Sequence, residues 1–252
     1  MKKALALLAL MASCSTPSVT VVPAAMESSL TGSVGVVTGG LGDFDANDLD
    51  SMGLGDSEAV FFPKINLNFL RSEISVGSFS GGFAGDGELE FVFPHDGASL
   101  VGDVHSELDV KVTNLLWTYN FVNADTAHFG VGLGVTDFDF ALNLHELGNP
   151  GNSLPPLEKS VPVPLVGLRA GGDFGLLRLE GSFATLQVDA DGGEISVTDL
   201  DVYAGFDVIG DSGSVVLGYR SFDVDASYDD GEDSVELEFG LGGPYAGVRL
   251  GF

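Results

Sequence analysis

Cysteine occurs once in the 252 residues, so neither an intrachain disulfide nor a multi-cysteine metal site can form. Basic residues are scarce: 10 Lys and Arg stand against 37 Asp and Glu, a formal net charge of -27. That balance excludes a nucleic-acid partner, because phosphate binding requires basic patches. No apolar run reaches the roughly 20 residues of a membrane-spanning helix. No segment holds a helical hydrophobic period, and Gly39-Gly40-Leu41-Gly42 lacks the spacing of a phosphate loop. What is present is apolar and acidic together. Hydrophobic residues make up 44%, mean hydropathy is +0.28 and the pI is near 4.1. The two properties conflict in an ordinary soluble domain, and agree in a strand protein that is greasy outside with polar loops. Glycine, at 36 residues, is about twice its usual share.

Lys2 and Lys3 precede a short apolar stretch, Ala4 to Ala12. That is the pattern of a secretory signal, too short to span a membrane. Leu10-Met11-Ala12-Ser13-Cys14 resembles the lipobox of bacterial lipoproteins, although Met11 departs from the usual Leu or Val. The resemblance implies a lipid on Cys14, with residues 1–14 as leader, 15–28 as a tether and 29–252 as the folded domain. The alternative is plain cleavage near Val22-Pro23-Ala24. Either way the chain leaves the cytoplasm.

Beyond about residue 86 the sequence alternates with period two between turn signals, the pattern of strands with two unlike faces. Phe129, Val131, Leu133 and Val135 alternate with Gly130, Gly132 and Gly134. Phe138, Phe140, Leu142 and Leu144 alternate with Asp137, Asp139, Ala141 and Asn143. The spacing predicts strands over 104–122, 127–145, 160–171, 175–190, 194–209, 213–228 and 233–252, with 86–94, 59–80 and 29–40 upstream. These exceed the five or six residues typical of a soluble sheet. Short connections alternate with longer or acidic ones, as on the two rims of a membrane barrel. Counting back gives ten strands, or eight if the wall begins at 86–94.

Tyr245, Gly247, Leu250 and Phe252 stand, in order, in the slots of the C-terminal insertion signal of bacterial outer-membrane β-barrels, which this chain resembles over roughly 86–252. The resemblance implies an all-β, closed up-and-down antiparallel transmembrane barrel in the outer membrane. It also implies partners in the outer-membrane lipids and in the barrel assembly machinery, which reads a terminal strand by edge pairing. Within such a barrel carboxylates cannot face lipid, so the acidic rows are assigned to the lumen. Lys111, Arg169, Arg178, Arg220 and Arg249 are then expected to pair there with Glu180, Asp199, Asp201, Asp207, Glu236 and Glu238. A small barrel filled this way is a plug, not an open pore.

Candidate chemistry is sparse. His105-Ser106 and His95-Asp96 match pairs used by lipid-trimming or proteolytic outer-membrane barrels, yet neighbours on a strand point to opposite faces. Asp43 to Leu54 begins like a calcium loop but has Leu54 at the twelfth position. Asp189, Asp191 and Glu194 form a compact oxygen cluster suited to weak calcium binding. No cofactor and no enzymatic activity are expected. The functional expectation is a barrel with a largely plugged polar lumen, acting structurally or as a surface binder through acidic external loops. The alternatives are a small-solute channel or transporter and a lipid-modifying enzyme.

Overall fold

The structure, a computed structural model, describes residues 17–38, 46–55, 57–95, 98–124, 126–190, 193–208, 212–229 and 233–252. Ten long strands form a closed antiparallel barrel: β1 (Ser18–Thr38), β3 (Glu58–Phe69), β4 (Ser72–His95), β5 (Ala98–Ala124), β6 (Ala127–Glu146), β8 (Leu157–Asp173), β9 (Leu177–Ala190), β10 (Gly193–Asp207), β11 (Gly213–Asp229) and β12 (Asp233–Gly251). Two short strands, β2 (Ala46–Asp48) and β7 (Asn149–Ser153), pair with β1 and β6. β12 returns to β1 from Thr20↔Gly251 to Thr38↔Asp233 and closes the ring. At the short-turn rim Val19 N donates to Phe252 O and Phe252 N to Val19 O.

Four expectations need correction. The eight-strand count is excluded. The segment expected as a tether, 15–28, enters the wall at Ser18 and pairs with β3 and β12. The single strand expected over 59–80 is a hairpin turning at Leu70, whose φ is +55°. The stretch 81–85, left between the strands expected over 59–80 and 86–94, lies inside β4. Gly85 and Gly87 face the loop at 51–53 so closely that neither site has room for a Cβ.

Apart from register shifts between Leu89 and Phe93 on β4 and between Asn120 and Val122 on β5, alternation continues through the wall, yet its meaning reverses halfway up. On β6 Phe129, Val131, Leu133 and Val135 point outward and are exposed, while Phe138, Leu142 and Leu144 point inward and are buried. On β5 Leu115, Trp117, Tyr119 and Phe121 are exposed; Val104, Leu108, Val110 and Val112 are buried. Strand parity makes this unavoidable: a residue's face depends only on odd or even position. Below the crossover the outside is apolar and the lumen polar. Above it the outside carries Asp103, Glu107, Asp109, Asp137 and Asp139, and the interior is a hydrocarbon core. Assigning acidic rows to the lumen placed Phe138, Phe140, Leu142 and Leu144 outside, against lipid; the structure corrects this and turns all four inward into the core, because at this height the acidic row faces out.

Four outward apolar positions cover about 23 Å of strand, close to the ~25 Å apolar band of outer-membrane barrels. β5 continues for about 50 Å beyond Thr113. That part projects.

The projecting part is also less tightly laddered. The β3–β4 ladder ends at Lys64↔Gly77, directly below Pro63, and the β8–β9 ladder ends at Val166↔Thr185, two residues below Pro164. Proline has no N–H to donate. Above these points the wall separates into two facing sheets, β4-β5-β6-β8 and β9-β10-β11-β12-β1-β3. Phe138 joins them, with ring centroids 5.7 Å from Phe222 and 5.2 Å from Phe239. The loop carrying buried Leu49, Met52 and Leu54 covers the first seam. Leu49 N donates to Gly32 O on β1, and Ser51 O accepts from Glu88 N on β4.

The crossover is directly testable. Leu133→Arg, on the lipid face, is expected to destabilise the folded barrel by about 2–4 kcal/mol. Asn143→Arg, on the same outer face of β6 but above the crossover, is expected to leave the urea midpoint in detergent unchanged. Equal losses at the two sites would place the lipid boundary elsewhere.

Candidate functional site: the lumen and the outer wall

Inside the lower barrel the charged side chains are stacked in layers. Uppermost, Arg220 Nη2 donates to Asp199 Oδ2 at 2.9 Å, and Asn114 Nδ2 donates to the same oxygen at 2.8 Å. The Arg220 guanidinium lies 4.5 Å from the Phe62 ring centroid and 5.2 Å from that of Phe79, so it joins the polar lumen to the aromatic core above. In the next layer Lys64 Nζ contacts Asp201 Oδ2 at 2.6 Å, and Tyr245 Oη donates to Asp201 Oδ1 at 2.7 Å. Arg169 pairs with Glu73 and, at 3.3 Å, with Glu180, which also meets His128 Nε2 at 3.1 Å. Nearest the short-turn rim Arg178 grips Asp173 with two bonds of 2.8 and 2.9 Å. Arg249 borders the same rim space, and Ser214 Oγ donates to Asp207 Oδ1.

Little space is left. A cavity of about 20 Å3 lies beside Lys64, Asn114 and Asp199, and a vestibule of about 210 Å3 opens beneath Arg169 and His128. The first holds at most one water. Gly130 stands opposite Arg169 on β8, while a Cβ at Gly132 or Gly134 would lie 3.2 or 3.1 Å from Leu116 Cδ1. A Cβ at Gly130 would instead meet Asn120 Oδ1, so the inward glycines make room for Asn120 and Leu116 of β5, not for an arginine.

Of the residues expected in the lumen, Arg169, Arg178, Glu180, Asp199, Asp201, Arg220 and Arg249 face inward. Lys111, Glu236 and Glu238 do not. All three lie above the crossover, on the outward row, and are exposed. The expectation treated every carboxylate row as sharing an inside with the cations, whereas outside the lipid an acidic row faces water. Sequence reasoning missed Lys64 and Glu73, the two partners supplied by the misread 59–80 hairpin. Their alternation with Phe62, Asn66 and Ser75 on even and odd rows was the available signal.

The terminal residues have separate roles. Tyr245 is buried in the lumen, Gly247 leaves no room for a Cβ beside Pro23 O, Leu250 points outward, and Phe252 is exposed at the rim. Cys14 lies outside the described residues. So does Asp191; of Asp189 only the backbone is described, and Glu194 accepts a bond from Gln187 Nε2. Leu54, where a calcium loop needs its last carboxylate, is buried in the core. Among the described residues no group of three or more His, Cys, Asp or Glu is arranged to hold a metal ion. Ser106 points into the core, fully buried, so it cannot meet the outward His105.

On the outer wall just above the crossover, β3 to β8 form a concavity of about 780 Å3 lined by Phe61, Asp109, Lys111, Asp139, Glu158 and Lys159, among others. Phe61 is 63% exposed there.

No protein-family model matches the sequence, and no curated protein matches it. The fold does have counterparts. The outer membrane protease OmpT of Escherichia coli superposes with a TM-score of 0.58 at 13% identity, covering 96% of this chain and all of OmpT. The toluene transporter TbuX of Ralstonia pickettii (TM-score 0.33, 14% identity, 92% of this chain and 74% of that one) and the translocator domain of the autotransporter NalP of Neisseria meningitidis (0.35, 13%, 99% and 93%) are more distant. At 13% identity the likeness to OmpT is one of fold alone, and this chain's fold is a closed antiparallel β-barrel of ten long strands.

Breaking a buried pair leaves an uncompensated charge. Arg220→Met and Glu73→Gln are each expected to lower stability by about 3–5 kcal/mol, read from urea unfolding of the detergent-folded protein. Lys111→Met should not move the midpoint. A null effect at Arg220 would mean that water reaches Asp199.

Proposed function

We propose that this protein is a non-conducting outer-membrane barrel that works through the part projecting from the membrane, as a structural or surface-binding protein. The observation that carries this reading is the continuous filling of the interior. Charged layers from Arg178 up to Arg220 occupy the lipid-embedded section, and Phe62, Phe79, Phe138, Phe222 and Phe239 occupy the section above. A solute would have to break both a set of desolvated ion pairs and a packed core. Barrels of this strand number have lumens that side chains can fill.

The outer wall is the surface left to act. Its carboxylates face water along β5, β6, β11 and β12, and its concavity beside Phe61 combines an exposed ring with Lys111 and Lys159. Such a wall suits a cationic or mixed-charge partner, drawn in by the acidic field. The apolar belt is the surface for membrane lipids. The last strand, from Tyr245 to Phe252, is the segment for the assembly machinery to read.

Reconstitution into planar bilayers tests the reading. The expected record shows no unitary conductance steps at moderate voltage in molar salt. Stable, ohmic steps that vanish in a variant with a bulkier lumen, such as Gly167→Trp, would establish a channel instead.

A further inference from the structure

High on the outer wall, His105 of β5 and His145 of β6 are direct cross-strand partners. Their ring centroids are 4.9 Å apart. His105 Nδ1 lies 2.6 Å from Asp86 Oδ1, and Asp86 is in turn the cross-strand partner of His105 on β4. His105 Nε2 lies 3.7 Å from Glu107 Oε1. A row thus crosses four strands at one height: Asp86, His105, His145 and Ser153. It sits about 30 Å along the strand above Leu115, clear of the lipid.

We infer that His105 and His145 form a two-histidine site for a first-row divalent transition-metal ion, with Asp86 as the positioning carboxylate. Three features support it. Side chains directly opposite on antiparallel strands have Cβ atoms about 5 Å apart, so two imidazoles there can turn one nitrogen each toward a shared point. A carboxylate that holds Nδ1–H fixes the tautomer and ring orientation and leaves Nε2 as the free ligand, the arrangement found behind ligating histidines. The surrounding wall is acidic, with Glu107 on β5 and Glu88 on β4 outward, and raises the local cation concentration.

The donor set also selects the ion. Imidazole nitrogen suits copper, nickel and zinc, whereas calcium and magnesium require oxygen ligands. Two protein nitrogens do not enclose an ion, so water completes its coordination. Glu107 is placed to accept a hydrogen bond from that water. The site differs from the calcium cluster anticipated around Asp189, Asp191 and Glu194, and it does not depend on whether the lumen conducts.

Untagged protein folded in detergent and loaded with one equivalent of Cu(II) gives the test, by electron paramagnetic resonance and by competition titration. The wild type is expected to show hyperfine coupling to two nitrogens. His105→Ala and His145→Ala should each show fewer nitrogens and weaken binding at least about tenfold, and Asp86→Asn should keep two nitrogens while weakening binding about tenfold. Excess Ca2+ should not compete. All three side chains are outward, so unheated gel mobility checks that each variant is folded; His105→Gln and His145→Gln carry the test if an alanine variant is not. Wild-type affinity and spectrum retained in the double variant would overturn the proposal, as would a wild-type spectrum without two-nitrogen coupling.

Discussion

Lipid cannot hydrogen-bond a peptide group, and that constraint divides this molecule into two differently built halves. Where hydrocarbon surrounds the wall, all ten ladders are in place and the ring is closed from β1 to β12. Where water surrounds it, two ladders end, one directly below Pro63 and one two residues below Pro164. An N–H missing from a ladder in lipid is uncompensated, while one in water is solvated. The upper half can therefore flatten into two packed sheets with an aromatic interior. The lower half cannot, and holds its charges inside.

The same constraint explains why alternation alone leaves a gap in what can be read. Period two shows that Phe138 and Leu133 belong to opposite faces, being of even and odd number. It does not state which face is inward, because that depends on the solvent outside, and the solvent changes between Val135 and Asp137. The strand count and barrel class were legible, since they depend only on periodicity, length and turns. The lumen network was legible for Arg169, Arg178, Asp199, Asp201 and Arg220, which lie below the crossover. It failed for Lys111, Glu236 and Glu238, which lie above it. A usable sign was present: beside Asp137, Asp139 and Asn143 a second polar row outside is the mark of water.

Turns were a separate difficulty. A glycine-rich segment normally reads as a break. In β4 Gly85 and Gly87 instead let the loop at 51–53 lie directly on the strand and cover a seam. The true break, at Leu70 and Arg71, has no glycine and puts a leucine at φ +55°. This displaced break hid Lys64 on β3 and Glu73 on β4, and with them two of the buried cation–carboxylate contacts. Without Lys64, Asp201 would be a buried carboxylate held only by Tyr245.

Burial of charge also bears on what the protein can do. The pairs below Phe62 gain little net stability over an apolar filling, because desolvation offsets most of their attraction. Their consequence is positional: Lys64 with Asp201 and Arg169 with Glu73 tie β3 to β10 and β8 to β4 across the lumen, while Arg220 with Asp199 adds a side-chain link between the neighbouring strands β11 and β10. A cylinder braced in this way is a rigid mount. It supports a tall acidic wall beyond the apolar belt, and keeps side chains on separate strands, His105 and His145 among them, at a constant separation. Selective surface chemistry needs that constancy, because a ligand bound by two strands loses affinity as soon as the strands move apart.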